Sequence, residues 1–241
     1  GPALVAYAPD QDAADKAADE TLQKWTDAEP EFQARLCTPA EGVAKAMQNT
    51  KHPVVIADVQ DNPGGGGSND TTGLLHALIA ARAEGALMVH IVDTKAAAAA
   101  VAAGVGAVLD IGVGGRADPH TGAPVPGPWR VAALGDGTFT GTGPMYAGAA
   151  IEMGPVALLE QSGVQVIVAA KRMQASEPAL IRHLGLEPAD LPILCVKSSV
   201  HFRGAYESMA AKIILVAAPG RVTMDLSSLK YAKCLRRPAG A

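Results

Sequence analysis

The feature that most constrains the fold is a strand pattern that runs into four consecutive glycines. Residues 54–59 are Val-Val-Ile-Ala-Asp-Val, an acidic turn follows, and Gly64–Gly67 come next. Ordering four glycines costs several residues' worth of backbone entropy, so a folded chain keeps them where a side chain would not fit. We therefore predict that some group approaches this backbone closely.

A helix is predicted directly after the glycines. Leu74, Leu75, Leu78 and Ile79 form one apolar stripe within residues 73–83. The residues before it are competent N-caps: Asp70, Thr71 and Thr72. Such a helix directs free N–H groups and a partial positive charge at the glycine loop, which favours an anion there. The alternative is a flexible connection that is rich in turn-forming residues.

Three better-known glycine motifs are excluded. A phosphate-binding P-loop needs Lys-Ser/Thr after its last glycine, whereas Ser68-Asn69-Asp70 stands there. A calcium loop beginning at Asp58 would have Gln60 at its third position and would lack the glycine at its sixth. The Gly112–Ala117 stretch matches G-x-G-x-x-A, but the run of prolines that follows prevents the helix that a dinucleotide site requires.

Composition narrows the class of protein. The 241 residues are 49% hydrophobic but only 4% aromatic, as expected for a soluble α/β protein with an aliphatic core. The net charge of −4 predicts no nucleic-acid partner and no anionic membrane partner. Three widely spaced cysteines do not predict a disulfide framework. We expect a reducing or disulfide-indifferent compartment, such as the cytoplasm.

The order of patterns from residue 53 predicts an α/β fold. Strand, glycine loop, helix, strand, helix and strand (Ala107–Gly112) alternate first, which is typical of a mainly parallel or mixed sheet with flanking helices. Short glycine-punctuated runs from 129 to 159 then predict an antiparallel hairpin insertion. A strand over 191–197, a helix over 204–211 and a last strand over 213–217 follow, and the basic residues 230–237 are expected to form a surface extension.

Residues 1–52 are predicted to form a connecting segment, and residues 53–241 the main domain. The segment should hold a strand at Leu4–Ala8, a helix from Asp10 to Trp25, and a second helix from Pro39 to Gln48 that begins with a capping box at Thr38. One strand and two helices cannot close a core alone. We therefore expect this segment to join a preceding domain.

Candidate functional residues lie at three predicted strand ends. Ligand sites in open parallel sheets form outside the carboxyl ends of strands, so these loops could share one crevice, although the sequence leaves their convergence open. The predicted substrate- or anion-binding residues are Asp58, Asn62, Gly64, Gly65, Gly66, Asp70, Gly114, Gly115, Lys197, Ser198, His201 and Arg203.

Two other functions stay open at this point. Ser199 and His201 are weak catalytic candidates for an independent hydrolase, because no nucleophile-elbow motif surrounds the serine. A stand-alone domain that binds a small anion is the second alternative. Metal ligands were sought at His76, His90 with Asp93, His120 with Asp118, and His201, but none has the spacing of a metal motif.

The order of six motifs resembles one family. They are Asp58–Gly66 with Asp70, Gly114–Pro119, Gly143–Met145, Met153–Pro155, Lys171–Gln174 and Lys197–Arg203. Together they resemble the C-terminal part of the microcystinase C (MlrC-like) metallopeptidases, over roughly residues 53–238.

The resemblance implies a bacterial, zinc-dependent hydrolase that cleaves small peptides, such as the linearised microcystin on which the namesake acts. It also implies that the zinc and its ligands belong to an N-terminal domain, so no metal or other cofactor is expected in this chain. The expected partners are that N-terminal domain, a small peptide substrate and, in a homodimer, a second copy. The expected role of this chain is to wall the substrate cleft or to support the dimer.

Overall fold

A computed structural model describes residues 3–32, 35–117 and 122–224, together with 229 and 232. The chain divides into two compact units. One contains residues 1–35 and 225–241, and the other contains residues 36–224. The larger unit thus begins ahead of residue 53, because the helix over 39–47 packs within it. The predicted basic extension over 230–237 falls, apart from residue 232, outside the described residues.

The first unit is dominated by helix α1, Gln11–Asp27. Asp10 and Asp12 are both possible caps from the sequence, and the structure has Asp10, whose side chain accepts a hydrogen bond from the Ala13 backbone N–H. A short 3₁₀ turn, Glu29–Phe32, follows. The predicted strand at Leu4–Ala8 is wrong for this structure, since no strand forms there. An extended segment becomes a strand only when a neighbouring strand accepts its hydrogen bonds, and none lies beside it in the described residues.

The second unit is built on an eight-stranded sheet with the order β10-β1-β9-β2-β8-β7-β4-β3. Its first five strands are mutually parallel, and the remaining three pair antiparallel. The strands are β1 Val54–Asp58, β2 Ala86–Val92, β3 Val108–Leu109, β4 Trp129–Gly135, β7 Val156–Gln161, β8 Val164–Ala169, β9 Ile193–Lys197 and β10 Lys212–Val216. A separate hairpin pairs β5 Thr138–Thr140 with β6 Ala150–Glu152. The predicted α/β class is confirmed.

Continuous aliphatic runs explain the parallel part of the sheet. Every residue of β1 and of β9 is buried, as expected for strands that are covered on both faces. Alternate residues enter two separate apolar clusters, with Ile56 in one and Val55 in the other. The strand predicted over 107–112 is shorter than expected. Only Val108–Leu109 pairs, in antiparallel register with β4.

Five further helices flank the sheet: α2 Pro39–Met47, α3 Gly73–Ala81, α4 Thr94–Ala103, α5 Pro178–Arg182 and α6 Phe202–Tyr206. The capping box predicted at Thr38 is present, and the Asp93 side chain caps α4. The last helix begins earlier and is shorter than the predicted 204–211. None of the helices in the described ranges is both long and apolar enough to cross a lipid bilayer.

Candidate functional site at the carboxyl edge of the sheet

The carboxyl ends of the parallel strands gather the predicted functional loops at one edge. Because β1, β9 and β2 are adjacent and parallel, Asp58, Lys197 and the residues after Val92 lie at the same end. The chain connects β1 to β2 through α3, and β9 enters between them from far along the sequence. This crossover creates the setting in which open α/β sheets place their ligands.

A buried lysine ties two of these loops together. The Lys197 side chain is fully buried, and its Nζ lies 3.0 Å from Asp61 Oδ2 and 3.5 Å from Asp58 Oδ2. The same ammonium donates a hydrogen bond to Thr71 Oγ1 at 2.5 Å. Lys197, expected to receive a ligand anion, thus contacts two carboxylates of its own chain. Burial of these charges is tolerable because they are paired.

The two carboxylates differ in their electrostatics. Burial raises the pKa of Asp58, although the attraction of Lys197 opposes it. Burial also acts to raise the pKa of Asp61, but Lys197 and the backbone N–H groups of Thr71 and Asn69 outweigh it and hold that pKa below its ordinary value. Asp61 is therefore the firmly ionised partner of the lysine.

Asp61 also occupies the anion position that the sequence predicts before α3. Its Oδ1 accepts from the Asn69 N–H at 2.8 Å, and its Oδ2 accepts from the Thr71 N–H at 3.0 Å. Thr72 is the N-cap of the helix, but its hydroxyl donates to the Ala123 carbonyl instead of capping. An internal carboxylate thus uses backbone donors ahead of the helix, which leaves fewer of them for an external anion.

The four glycines are locked by their own loop and by nearby residues. The N–H groups of Gly65 and Gly67 donate to the Asn62 carbonyl, at 3.0 Å and 2.9 Å, and the N–H of Gly64 donates to Asn62 Oδ1. A Cβ on Gly64 would collide with the Gln174 side chain. The predicted close approach is therefore present at Gly64, Gly65 and Gly67, and the approaching groups belong to this chain, whereas a Cβ on Gly66 would meet no atom within 4 Å.

Gly67 provides a direct test of this packing. A Cβ at this position would lie 2.7 Å from the Asp61 carbonyl carbon and 2.8 Å from the Asn62 oxygen, both backbone atoms that cannot swing away. We expect Gly67→Ala to lower the free energy of unfolding by about 2–3 kcal/mol, measured by urea denaturation. Gly65→Ala is the matched control, because the nearest atoms to its Cβ belong to side chains, those of Val222 at 3.2 Å and Asn62 at 3.8 Å. Equal losses in both variants would contradict steric locking at Gly67.

The loop over 112–117 contacts the end of the segment over 58–72, which is called the glycine segment below. Asp70 Oδ2 accepts from the N–H groups of Arg116 and Ala117, at 2.8 Å and 2.7 Å. Asp93 Oδ2 accepts from the Gly114 N–H at 2.9 Å and from Arg116 Nε at 3.0 Å. Gly114 adopts φ +70°, and a Cβ there would lie 2.9 Å from the Asp70 carbonyl oxygen, so glycine is required.

A cleft of about 270 Å³ opens between these two loops and the start of α4. Its lining is Ser68, Asp70, Val92, Asp93, Thr94, Lys95, Arg116 and Ala117. Asp70 Oδ1 is buried and has no hydrogen-bond partner in the described part of the chain, whereas Arg116 and Lys95 bring positive charge. The cations can therefore contact acceptor groups of a small molecule in the cleft, and the hydroxyls of Ser68 and Thr94 can contact donors or acceptors.

The third loop contacts the glycine segment on a different side. Asn62 Nδ2 donates to Ser199 Oγ at 2.8 Å, and Gln174 Nε2 lies 3.1 Å from His201 Nδ1. Ser199 and His201 therefore bond to other residues and not to each other. Arg203 is paired on the surface with Glu207, at 2.6 Å. A Ser–His catalytic pair is not formed in this structure.

The glycine segment thus lies between the other two loops, and it contacts each of them. The structure joins Asp58 to Lys197, Asn62 to Ser199, and Asp70 to the loop that carries Gly114 and Gly115. Ser198 is buried beside Asp58, whereas His201 and Arg203 lie nearer the surface. Ligand binding by these residues stays a prediction.

The predicted binding residues do not include several that hold the site together: Asp61, Thr71, Asp93, Arg116 and Gln174. All but Asp93 lie within or beside one of the quoted motifs, but the sequence gives no sign of which partner each one meets. Their pairings join residues that are up to 136 positions apart, as in the ion pair between Lys197 and Asp61.

The metal candidates are not brought together. Within the described ranges, no three His, Cys, Asp or Glu side chains are close enough to hold a metal ion. His90 is fully buried, and its Nε2 lies 3.2 Å from the Lys171 carbonyl oxygen, as expected for a core histidine. Asp118 and His120 fall outside the described residues. The described side chains thus do not fit a zinc site.

Comparison with known proteins agrees with the predicted resemblance. A family model described as the MlrC C-terminus matches residues 56–233. Microcystinase C from a Sphingomonas species is 30% identical over 179 residues, which are 74% of this chain and 34% of that protein. A crystal structure from Mesorhizobium sp. BNC1, identified provisionally as a metallopeptidase, has a TM-score of 0.73 and 25% identity, and the match covers 87% of this chain and 42% of that one.

The chain therefore spans about a third of the length of microcystinase C. Both matched relatives contain long stretches that have no counterpart in this chain. The family assignment therefore applies to this chain, and the activity of the whole relative is not transferred with it. The match over residues 56–233 covers well over half of the chain and includes every loop of the carboxyl edge. This protein belongs to the MlrC C-terminus family.

Proposed function

We propose that this chain is the C-terminal part of a zinc-dependent peptidase that acts on small linear peptides in the bacterial cytoplasm. In this proposal the chain forms a wall of the substrate cleft and carries neither the zinc nor its ligands. The metal would supply an activated water from the part of the protein that lies outside this chain. The residues here bind and orient the peptide.

The observation that supports this role is the rigid, polar carboxyl edge in a member of this family. Three loops are fixed there by buried charge pairs and backbone hydrogen bonds, so the cleft beside them is preformed. A preformed cleft with a few placed polar groups is what a small ligand requires. Two exposed cations, Lys95 and Arg116, line this cleft, and Arg116 is paired with Asp93. Lys95 has no ion-pair partner among the described residues and can bind a peptide carboxylate, whereas Lys197 is paired inside the protein.

The first test compares this chain with a version that is extended N-terminally from the same gene. We expect only the extended protein to bind zinc stoichiometrically and to cleave short linear peptides, as measured by metal analysis and by chromatography of the products. A short chain that binds zinc and cleaves on its own would overturn this division of roles.

The second part of the test addresses the cleft in the extended protein. Lys95→Ala should lower kcat/KM by about tenfold through a higher KM, because a charge-assisted hydrogen bond to the substrate is lost. Lys212→Ala is the matched control. Lys212 is exposed at the start of β10, at the amino ends of the parallel strands, whereas the cleft lies at their carboxyl ends. Unchanged kinetics for Lys95→Ala would place the substrate elsewhere.

A further inference from the structure

We propose that residues 3–32 are a docking element for a β-sheet in the part of a microcystinase C-length protein that this chain does not contain. Leu4–Ala8 would add to that sheet as a strand, and the apolar face of α1 would pack on it. This inference rests on the proposed function, because it assumes the same longer protein.

Helix α1 carries an apolar face that is only partly covered. Ala14, Ala18, Trp25 and Ala28 recur at helical spacing and are half-buried, and Leu22 on the same side is 53% exposed. No residue of this 17-residue helix is buried, whereas α3 and α4 each bury three. A soluble amphipathic helix normally buries such a face. The face is therefore available for a partner.

The segment before α1 has the pattern of a strand without a partner. Leu4 and Ala6 are half-buried, whereas Val5 and Tyr7 between them are 73% and 94% exposed. This alternation is the period of a strand, yet the backbone of 4–8 makes no hydrogen bond to any described residue. Its donors and acceptors remain free to pair with the edge of another sheet.

The two features meet in one open apolar groove of about 350 Å³. Leu4, Leu22, Trp25 and Phe32 line it, and Phe32 is 60% exposed. A contiguous apolar surface of this kind, bordered by charged residues, is characteristic of an interaction site. Because the groove joins the strand-like segment to the helix face, one partner surface can cover both.

A strand followed by a helix that packs against it is a βα unit, which is stable only within a larger sheet. The unmatched part of each relative is long enough to contain such a sheet, since the matched region is only 34% of microcystinase C and 42% of the solved metallopeptidase-like chain. A second copy of this chain is a poorer partner. Residues 10–31 carry eight acidic residues and two lysines, so two copies of this element would repel each other.

Hydrogen exchange of the short chain and of the N-terminally extended protein tests the proposal. We expect the amides of 4–8 to exchange about a hundredfold more slowly in the extended protein, because they become paired in a sheet. In that protein, Leu22→Glu should abolish this slowing, and Gln23→Glu on the charged face should retain it. Exchange at 4–8 that is equally fast in both proteins would overturn the docking proposal.

Zinc content and peptidase activity of the same preparations separate the two proposals. If the extended protein binds zinc and cleaves peptides while the amides of residues 4–8 still exchange fast, the docking proposal is wrong and the proposed function stands. If exchange at 4–8 is slowed but the extended protein neither binds zinc nor cleaves peptides, the docking proposal stands and the proposed function is wrong. If the slowing appears in the short chain as its concentration rises, the partner is a second copy, and the proposal is wrong.

Discussion

Lys197→Met is expected to lower the free energy of unfolding by about 3–5 kcal/mol, the largest effect of any single substitution considered for this chain. The substitution keeps most of the side-chain volume but removes the charge that faces Asp58 and Asp61. Both carboxylates stay buried, and water cannot solvate them as it does in the unfolded chain. Urea denaturation monitored by circular dichroism measures the change.

The matched control is Arg203→Met, which removes a cation from the same loop. Its partner Glu207 remains exposed to solvent, so the loss should stay within about 1 kcal/mol. Adding Asp58→Asn to Lys197→Met should recover part of the lost stability, because one unpaired buried charge is then removed. A Lys197→Met protein as stable as the Arg203→Met protein would show that the lysine does not compensate the two carboxylates.

His90 is expected to make the protein about 3 kcal/mol less stable toward unfolding at pH 4 than at pH 7. Burial lowers the pKa of His90 to about 4, from an ordinary value of 6.5, and the nearby Lys197 adds to this effect. The Lys171 carbonyl and Asp61 oppose it only in part. The imidazole therefore stays neutral in the folded protein while it becomes charged in the unfolded one.

The sign of the His90 effect follows from proton binding. Above about pH 6.5, His90 is neutral in both states and contributes nothing to the pH dependence. Between pH 6.5 and about 4 only the unfolded chain binds the proton, so the free energy of unfolding falls as the pH is lowered. Asp61 and Glu177, whose pKa values are lowered, add a loss at the acidic end, while the raised pKa of Asp58 opposes it.

Comparing the pH profile of the wild type with that of a His90 variant separates the effect of the histidine from that of these carboxylates. His90→Gln keeps a group able to donate to the Lys171 carbonyl but cannot titrate, so its free energy of unfolding should depend less steeply on pH between 6.5 and 4. His201→Gln, which removes an exposed imidazole, is the matched control. Parallel pH profiles for the wild type and His90→Gln would contradict a neutral buried His90.

Local sequence patterns predicted the parts of the fold that depend on neighbouring residues. The capping box at Thr38 and the aliphatic runs of β1 and β9 identified elements that the structure contains. These signals work because helix caps and side-chain periodicity act over a few residues. The segment Leu4–Ala8 has a similar local pattern but pairs with no strand among the described residues, because strand pairing depends on residues far along the chain.

Local patterns are enough to predict that a strand, a tight glycine loop and a helix follow one another, and that polar residues cluster at strand ends. The insertion of β9 between β1 and β2 becomes visible only in three dimensions. It places Lys197 against Asp58 and Asp61, which use its charge inside the protein. Strand order and the pairing of buried charges depend on contacts between residues far apart in the chain, which leave no local pattern in the sequence.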